Sequence, residues 1–315
     1  MSREYSVVVP AHNAAHFIGA ALASVLAQTV AAREIIVVDD GSTDATARIA
    51  RAAGATVVST GQSLGPGASR NLGVSASTGE VIAFLDADDE WFPEHAEQQL
   101  RALLTPDVVF AGSDAEMFGS QTGLVSSSLQ GGASLDIRDP LIAENPVIQS
   151  SVLIERVAFL AAGGYDESLR FSEDYDLWTR VAEQGAFAYV AIPTVRRRMH
   201  PAQATTRFRA ELVRSWWTVR RRAVKRRLGV APPSERTRIL DLLESSARAD
   251  VEWAIWTGDS AMLSLVRDEL LRTDSEFDLD NRMGAFGGGG TTARRFAQDV
   301  RCASRAILQR FQGQR

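Results

Sequence analysis

Apolar residues along the first half of the chain fall into two alternating rhythms. Short continuous runs, Tyr5 to Pro10, Ile35 to Val38, Thr56 to Ser59, Val81 to Leu85 and Val108 to Ala111, are rich in the β-branched and aliphatic side chains of buried strands. Between them the apolar positions recur at helical spacing. Ile18, Leu22, Val25 and Leu26 share a face on a segment ending near Gln28, and further helices are predicted from Thr43-Asp44 through Ile49, over Ala68 to Ser75 and over Pro93 to Leu104. The oxygen side chains of Thr43 and Asp44 suit a helix start and Gly54 suits a helix end. Buried strands alternating with amphipathic helices predict a parallel sheet covered on both faces. Ligands on such sheets bind beyond the carboxyl ends of the strands. Pro10-Ala11-His12-Asn13, Asp39-Asp40 and Asp86-Ala87-Asp88 all fall there, so three loops are expected to converge on one crevice.

Composition widens the picture little. A chain of 315 residues has room for roughly two domains, or one larger α/β domain with an appendage. The net charge of -5 argues against a protein built to coat nucleic acid. Cys302 is the only cysteine, which excludes an intramolecular disulfide and points to a reducing compartment. The first residues run straight into Val7-Val8-Val9 without the pattern of a signal peptide, and no apolar run approaches the roughly 18 residues of a membrane-spanning helix. The expected location is the cytoplasm, with attachment to the inner membrane face left open.

Two acidic clusters, Asp86-Ala87-Asp88-Asp89 and Glu173-Asp174, stand beside segments that should be buried. Carboxylates in that setting need a charged partner, so a metal-dependent site is the first chemistry to test. Alternation at a strand end turns Asp86 and Asp88 to one side, while Asp89 reads as a cap for the next turn. The loop Gly65-Pro66-Gly67-Ala68-Ser69-Arg70-Asn71 is neither of its look-alikes. A dinucleotide fingerprint wants a glycine where Arg70 stands and follows the first strand, and a phosphate loop wants a Lys followed by Ser or Thr. Glycines, a helix start and a fixed cation suit a phosphate-bearing ligand, with an ion pair from Arg70 to an acidic neighbour as the plainer reading.

The segments VVVPAHN, IIVVDDGSTDAT, GPGASRNLG, AFLDADD and GGYDESLRFSEDYDLW resemble, in order and spacing, those of family 2 glycosyltransferases, which have the GT-A fold. The resemblance covers about Val7 to Trp178. It implies a mostly parallel α/β sheet flanked by helices and an inverting transfer from a nucleotide-diphosphate donor, UDP-linked by preference, to a hydroxyl of a glycan or lipid-linked saccharide. Mn2+ or Mg2+ would assist departure of the diphosphate. By the same resemblance Asp88 and Asp86 hold the metal, with Asp86 also near the ribose, and His200, after Arg196-Arg197-Arg198-Met199, closes over the diphosphate or completes the metal shell. Pro10, Ala11 and Asn13 would border the nucleobase, Asp39 or Asp40 would accept from its imide N–H, and Gly67 and Arg70 would complete donor binding. His12 departs from the aromatic residue common at its position. The base that deprotonates the acceptor falls on Asp174, with Glu173 and Asp176 as alternatives, after a turn at Gly163-Gly164-Tyr165-Asp166; Asn145 to Ser151 is expected to be the adjoining strand. A sugar nucleotidyltransferase and a noncatalytic nucleotide-sugar-binding module are the competing classes.

The implied organisation is a glycosyltransferase domain over 1–205, with a nucleotide-sugar half at 1–112 and an acceptor half at 113–205, a helical region at 206–282, and a linker and tail at 283–315. The run from Arg207 through Arg227 is basic and contains Trp216-Trp217. It reads either as a solvated helix face or as a peripheral contact for anionic lipid. Trp253 and Trp256 mark a stripe on a further helix. Gly287 to Gly290 reads as a linker, and Phe296, Val300, Ile307, Leu308 and Phe311 as one face of a basic amphipathic tail.

Overall fold

The computed structural model describes residues 3–129, 131–201, 208–257 and 260–277. The described residues fall into two compact units, one within 1–141 and 145–207 and the other within 142–144 and 208–315. In chain order the first unit carries β1 (Tyr5–Ala11), α1 (Ile18–Leu26), β2 (Glu34–Asp39), α2 (Thr46–Ala52), β3 (Thr56–Ser59), α3 (Pro66–Ala76), β4 (Val81–Phe84), β5 (Glu90–Trp91), α4 (His95–Ala102), β6 (Val108–Gly119), β7 (Gly123–Val125) and β8 (Gly132–Leu135). After α5 (Pro140–Ala143) come β9 (Leu153–Glu155), α6 (Arg156–Ala161), α7 (Glu173–Val181) and β10 (Ala186–Met199).

The main sheet runs β3-β2-β1-β4-β9-β6-β10-β5. The block β3-β2-β1-β4 is parallel, as is β6 with β10, while β9 lies antiparallel between β4 and β6. Val7, Val8 and Val9 of β1 and Val81 to Leu85 at β4 have no appreciable exposure, which is why these strands read as unbroken apolar runs. The strand ends of β1, β2 and β4 then carry Ala11, Asp39-Asp40 and Asp86 to the same edge, as the pattern predicts.

Two expectations are corrected, and one strand was not expected. Asn145 to Ser151 is no strand: Asn145 Oδ1 accepts from the Val147 N–H, Ser151 Oγ donates to the Ile148 carbonyl, and Gln149–Ser151 closes a 3-10 turn. Short polar side chains that bond their own backbone compete with a ladder. The strand expected at Val108 to Ala111 continues to Gly119, because β10 pairs along it in parallel. β10 itself escapes the apolar rhythm since its register shifts on both sides of Pro193, which breaks the alternation a regular strand would show.

The second unit packs α8 (Arg209–Val230), α9 (Pro233–Thr257) and α10 (Ser260–Phe277) around Val213, Trp217, Val224, Ile239, Leu243, Leu263 and Val266. Arg220 is buried and paired with Asp250, and Arg221 pairs with Glu269 at 2.6 Å, so two arginines of the basic run serve this core. Trp253 is 40% exposed with the Arg209 guanidinium over its ring at 4.4 Å. The Trp256 side chain, the Gly287 to Gly290 linker and the tail lie outside the described residues. No described helix is long and apolar enough to cross a membrane.

Candidate active site

The β1–α1 and β2–α2 loops are tied into one rim. Asp40 donates its backbone N–H to the Ala11 carbonyl at 2.8 Å, and Asn13 donates its backbone N–H to Ser42 Oγ at 2.9 Å. Asn13 adopts a left-handed φ of 50°, and its Oδ1 accepts from the Thr43 N–H at 2.9 Å. His12 Nδ1 stands 2.6 Å from the Asp40 carbonyl, which can only accept, so Nδ1 carries the proton and Nε2 accepts from Asn13 Nδ2 at 3.1 Å. His12 thus braces the rim.

The two carboxylates at the end of β2 differ in what they hold. Asp40 accepts from the Leu64 N–H (2.7 Å), the Gly65 N–H (3.0 Å) and Ser63 Oγ (2.8 Å). Burial alone would raise its pKa, and these bonds outweigh burial and lower it. Asp39 takes longer contacts, from the Ser42 N–H at 3.3 Å and Ser59 Oγ at 3.4 Å. Pro10 is half-buried and Ala11 buried at the end of β1.

The loop after β4 is gripped from two sides. Asp89 is buried and accepts from Ser150 Oγ at 2.6 Å and from the Arg198 N–H at 2.9 Å, so it links the 3-10 turn to β10 and is no cap for the following turn. Burial, with the charges of Asp88 and Asp86, pushes its pKa up to about 8. Asp88 Oδ2 meets His200 Nε2 at 3.0 Å, and the His200 ring lies against Phe17 with centroids 5.0 Å apart. The Asp88 carboxyl is raised by burial and by Asp86, against the His200 hydrogen bond. One oxygen ligand and one imidazole suit Mn2+ or another divalent ion that takes further oxygens from phosphates. Among the described residues no cluster of three or more His, Cys, Asp or Glu adds to that pair.

The second acidic cluster begins α7. Ser172, just before it, is buried with a φ of 58°, a left-handed conformation uncommon for a residue with a side chain. Glu173 is buried and accepts from Arg70 at 2.7 Å. Asp176 is turned away, bound to Arg180 at 2.7 Å, and Arg180 in turn holds the Ala162 and Gly164 carbonyls. Asp174 is half-buried and accepts from Asn145 Nδ2 at 3.2 Å. Its pKa is raised by burial and by the nearby charge of Asp86, against the Tyr175 N–H and Arg70. Of the three acids, only Asp174 has neither an arginine bound to it nor full burial.

Arg70 joins the clusters. It is 4% exposed on α3, donates to Glu173 at 2.7 Å and to Asp86 at 2.7 Å, and stands 5.3 Å over the Tyr165 ring. Breaking such a buried pair costs about 3–5 kcal/mol, because a desolvated charge is left alone. Gly67, one turn earlier, faces α7: a Cβ there would stand in van der Waals contact, 3.4 Å, with Glu173 Cγ. A cleft of about 410 Å³ opens between residues 63–68 and 167–170. Phe17 is a site neighbour that the sequence did not single out, and Asn145 and Ser150 lie in the expected adjoining segment without being named for the contacts they make. Their side chains have no motif, and only the chain's return past the crevice brings them there.

The family model described as glycosyl transferase family 2 matches residues 6–129, which span β1 to β7 and include the Asp86–Asp88 loop. Through these residues, the chain is similar to glycosyl transferase family 2. An uncharacterized glycosyltransferase of Rickettsia typhi is 30% identical over 207 residues, covering 64% of this chain and 65% of the relative. The succinoglycan biosynthesis protein ExoU of Rhizobium meliloti is 34% identical over 198 residues, covering 57% of each chain. The chain therefore spans less than two thirds of these relatives' lengths. Among solved structures, residues 1–349 of S. aureus TarS in complex with UDP-GlcNAc superpose with a TM-score of 0.71 at 15% identity, covering 98% of this chain and 92% of that one. Glucosyl-3-phosphoglycerate synthase from Mycobacterium tuberculosis, in complex with Mn2+, UDP and glucosyl-3-phosphoglycerate, superposes with a TM-score of 0.51 at 22% identity, covering 73% and 82%. At these identities the likeness is one of fold, and the fold is the GT-A type.

Proposed function

We propose that the chain is an inverting glycosyltransferase that moves a sugar from a nucleotide-diphosphate donor, preferably UDP-linked, to a hydroxyl of a glycan or lipid-linked saccharide. One observation carries the reading: a single buried guanidinium, Arg70, binds the acidic cluster suited to the donor and the acidic cluster suited to the acceptor. Asp39, with only long contacts, is the carboxylate left to accept from a nucleobase imide, and Asp40 shapes the loop beside it. Pro10, Ala11 and Asn13 border the base, and Gly67 the donor. Asp88 and His200, with Asp86 beside them, would hold Mn2+ or Mg2+. When bound, that ion supplies positive charge against the charge developing on the diphosphate.

Asp174 takes the proton of the acceptor hydroxyl while that oxygen bonds to the anomeric carbon. The bond from that carbon to the diphosphate leaves on the opposite face, which inverts the configuration. A carboxyl raised by burial is the stronger base for this step. The neighbours help by analogy of fold only, since their names record UDP-GlcNAc, UDP and Mn2+. Cytoplasmic location and peripheral contact of α8 with anionic lipid belong to the same reading, the latter through basic positions other than Arg220 and Arg221.

The test is transfer by the full chain from a panel of UDP-, GDP- and dTDP-sugars to saccharide acceptors, with Mn2+ and with a chelator. Turnover that the chelator abolishes and Mn2+ restores is expected. UDP binding without turnover across the panel would instead support a noncatalytic sugar-nucleotide module.

A further inference from the structure

We infer that Arg70 is a positioning residue, which sets the distance between the donor carboxylates and the acceptor base, and is not a ligand of the donor diphosphate. The inference rests on the proposed function and deepens it. Its two terminal nitrogens each meet a different carboxylate at 2.7 Å, Asp86 on the loop after β4 and Glu173 at the start of α7. The side chain is almost wholly buried, with the guanidinium over Tyr165, leaving little of it to meet a ligand in the crevice.

Three neighbours make this link directional. Gly67 on α3 faces the Glu173 side chain directly. Asn71, the next residue, holds the Tyr165 backbone from both sides: its Nδ2 donates to the Tyr165 carbonyl and its Oδ1 accepts from the Tyr165 N–H, each at 2.9 Å. Ser172 enters α7 through a left-handed turn, so the orientation of Glu173 and Asp174 is not given by the helix alone. Glu173 fixes that turn through Arg70, and Asp174 follows it by one residue. Arg70 therefore acts on the reaction through Glu173 and Asp86.

Arg70→Lys and Glu173→Gln in the full chain test this, since each keeps a hydrogen-bonding group and removes the bidentate charge link. Misplacement of the base is expected to lower kcat roughly 100-fold in either variant, with the donor KM changed no more than about threefold. The double variant is expected to lose no more than the worse single one, because both break the same link. Calorimetry with UDP, UMP and uridine in the presence of Mn2+ supplies the binding arm. The preference for UDP over uridine is expected to persist in Arg70→Lys. Loss of that preference would show direct diphosphate contact and overturn the inference, as would an unchanged kcat per folded molecule in both variants. If the wild type transfers no sugar, the proposed function falls, and the UDP, UMP and uridine comparison still decides whether Arg70 touches the diphosphate.

Discussion

His95 illustrates how a residue with no part in the chemistry still constrains the protein. It is wholly buried on α4, stacked on Trp91 with ring centroids 4.3 Å apart, and its Nδ1 lies 2.7 Å from Thr194 Oγ1. Burial lowers its pKa from 6.5 to about 3. Below pH 6.5 the unfolded chain takes a proton that the folded chain refuses until about pH 3, so stability falls as pH drops through that window. The slope from this group is about 1.4 kcal/mol per pH unit. Denaturant titrations at pH 7, 6, 5 and 4 are expected to show a shallower decline in His95→Gln than in the wild type. Equal slopes would mean that other groups dominate. At this scale the sequence singled out Asp86 and Asp88 by their place after a strand, and the structure puts Asp86 on Arg70 and Asp88 on His200. The sequence was silent on division of labour: nothing in Asp39-Asp40 says that Asp40 alone holds the 63–65 loop, and nothing in Glu173-Asp174 says that the first is bound by Arg70.

At the scale of elements, α3 owes its seat on the sheet to Gly73. A methyl there would collide with a Val8 methyl and crowd Val38, both on buried strands with stiff side chains. Gly73→Ala should gain about 1 kcal/mol of helix propensity. Overpacking at a β-branched neighbour costs about 1–3 kcal/mol, so a net loss is expected in the denaturation midpoint. Because α3 carries Arg70 and Gly67, a shifted helix would also move the link between the acidic clusters. Wild-type stability in this variant would mean that α3 sits more loosely on β1 than the contacts imply. β1 and β4 were legible because both faces are buried, and the half-exposed β3 by its β-branched residues. β10 was not, since Pro193 and its bulges erase the period, and the turn at Gln149–Ser151 was misread because its hydrogen bonds are local.

For the whole molecule, residues 1–112 declare themselves in contiguous motifs, and residues 113–205 do not. β1, β2 and β4 end at one edge by simple topology, whereas α7 and β10 return to that edge from the distant stretch 173–199. Periodicity cannot supply such long-range meetings; ordered family segments can. The helices of the second unit were legible as helices, yet the charges inside them were not, since Arg220 and Arg221 look like surface residues until Asp250 and Glu269 meet them. The central claim is that the two acidic clusters have separate jobs across one crevice. It is tested most directly by comparing Asp174→Asn with the wild type for sugar transfer in Mn2+, with UDP affinity measured on the same preparations. The kcat is expected to fall by about 10²–10⁴-fold while UDP binding stays within about threefold. Undiminished transfer by Asp174→Asn would contradict the claim and remove Asp174 as the base.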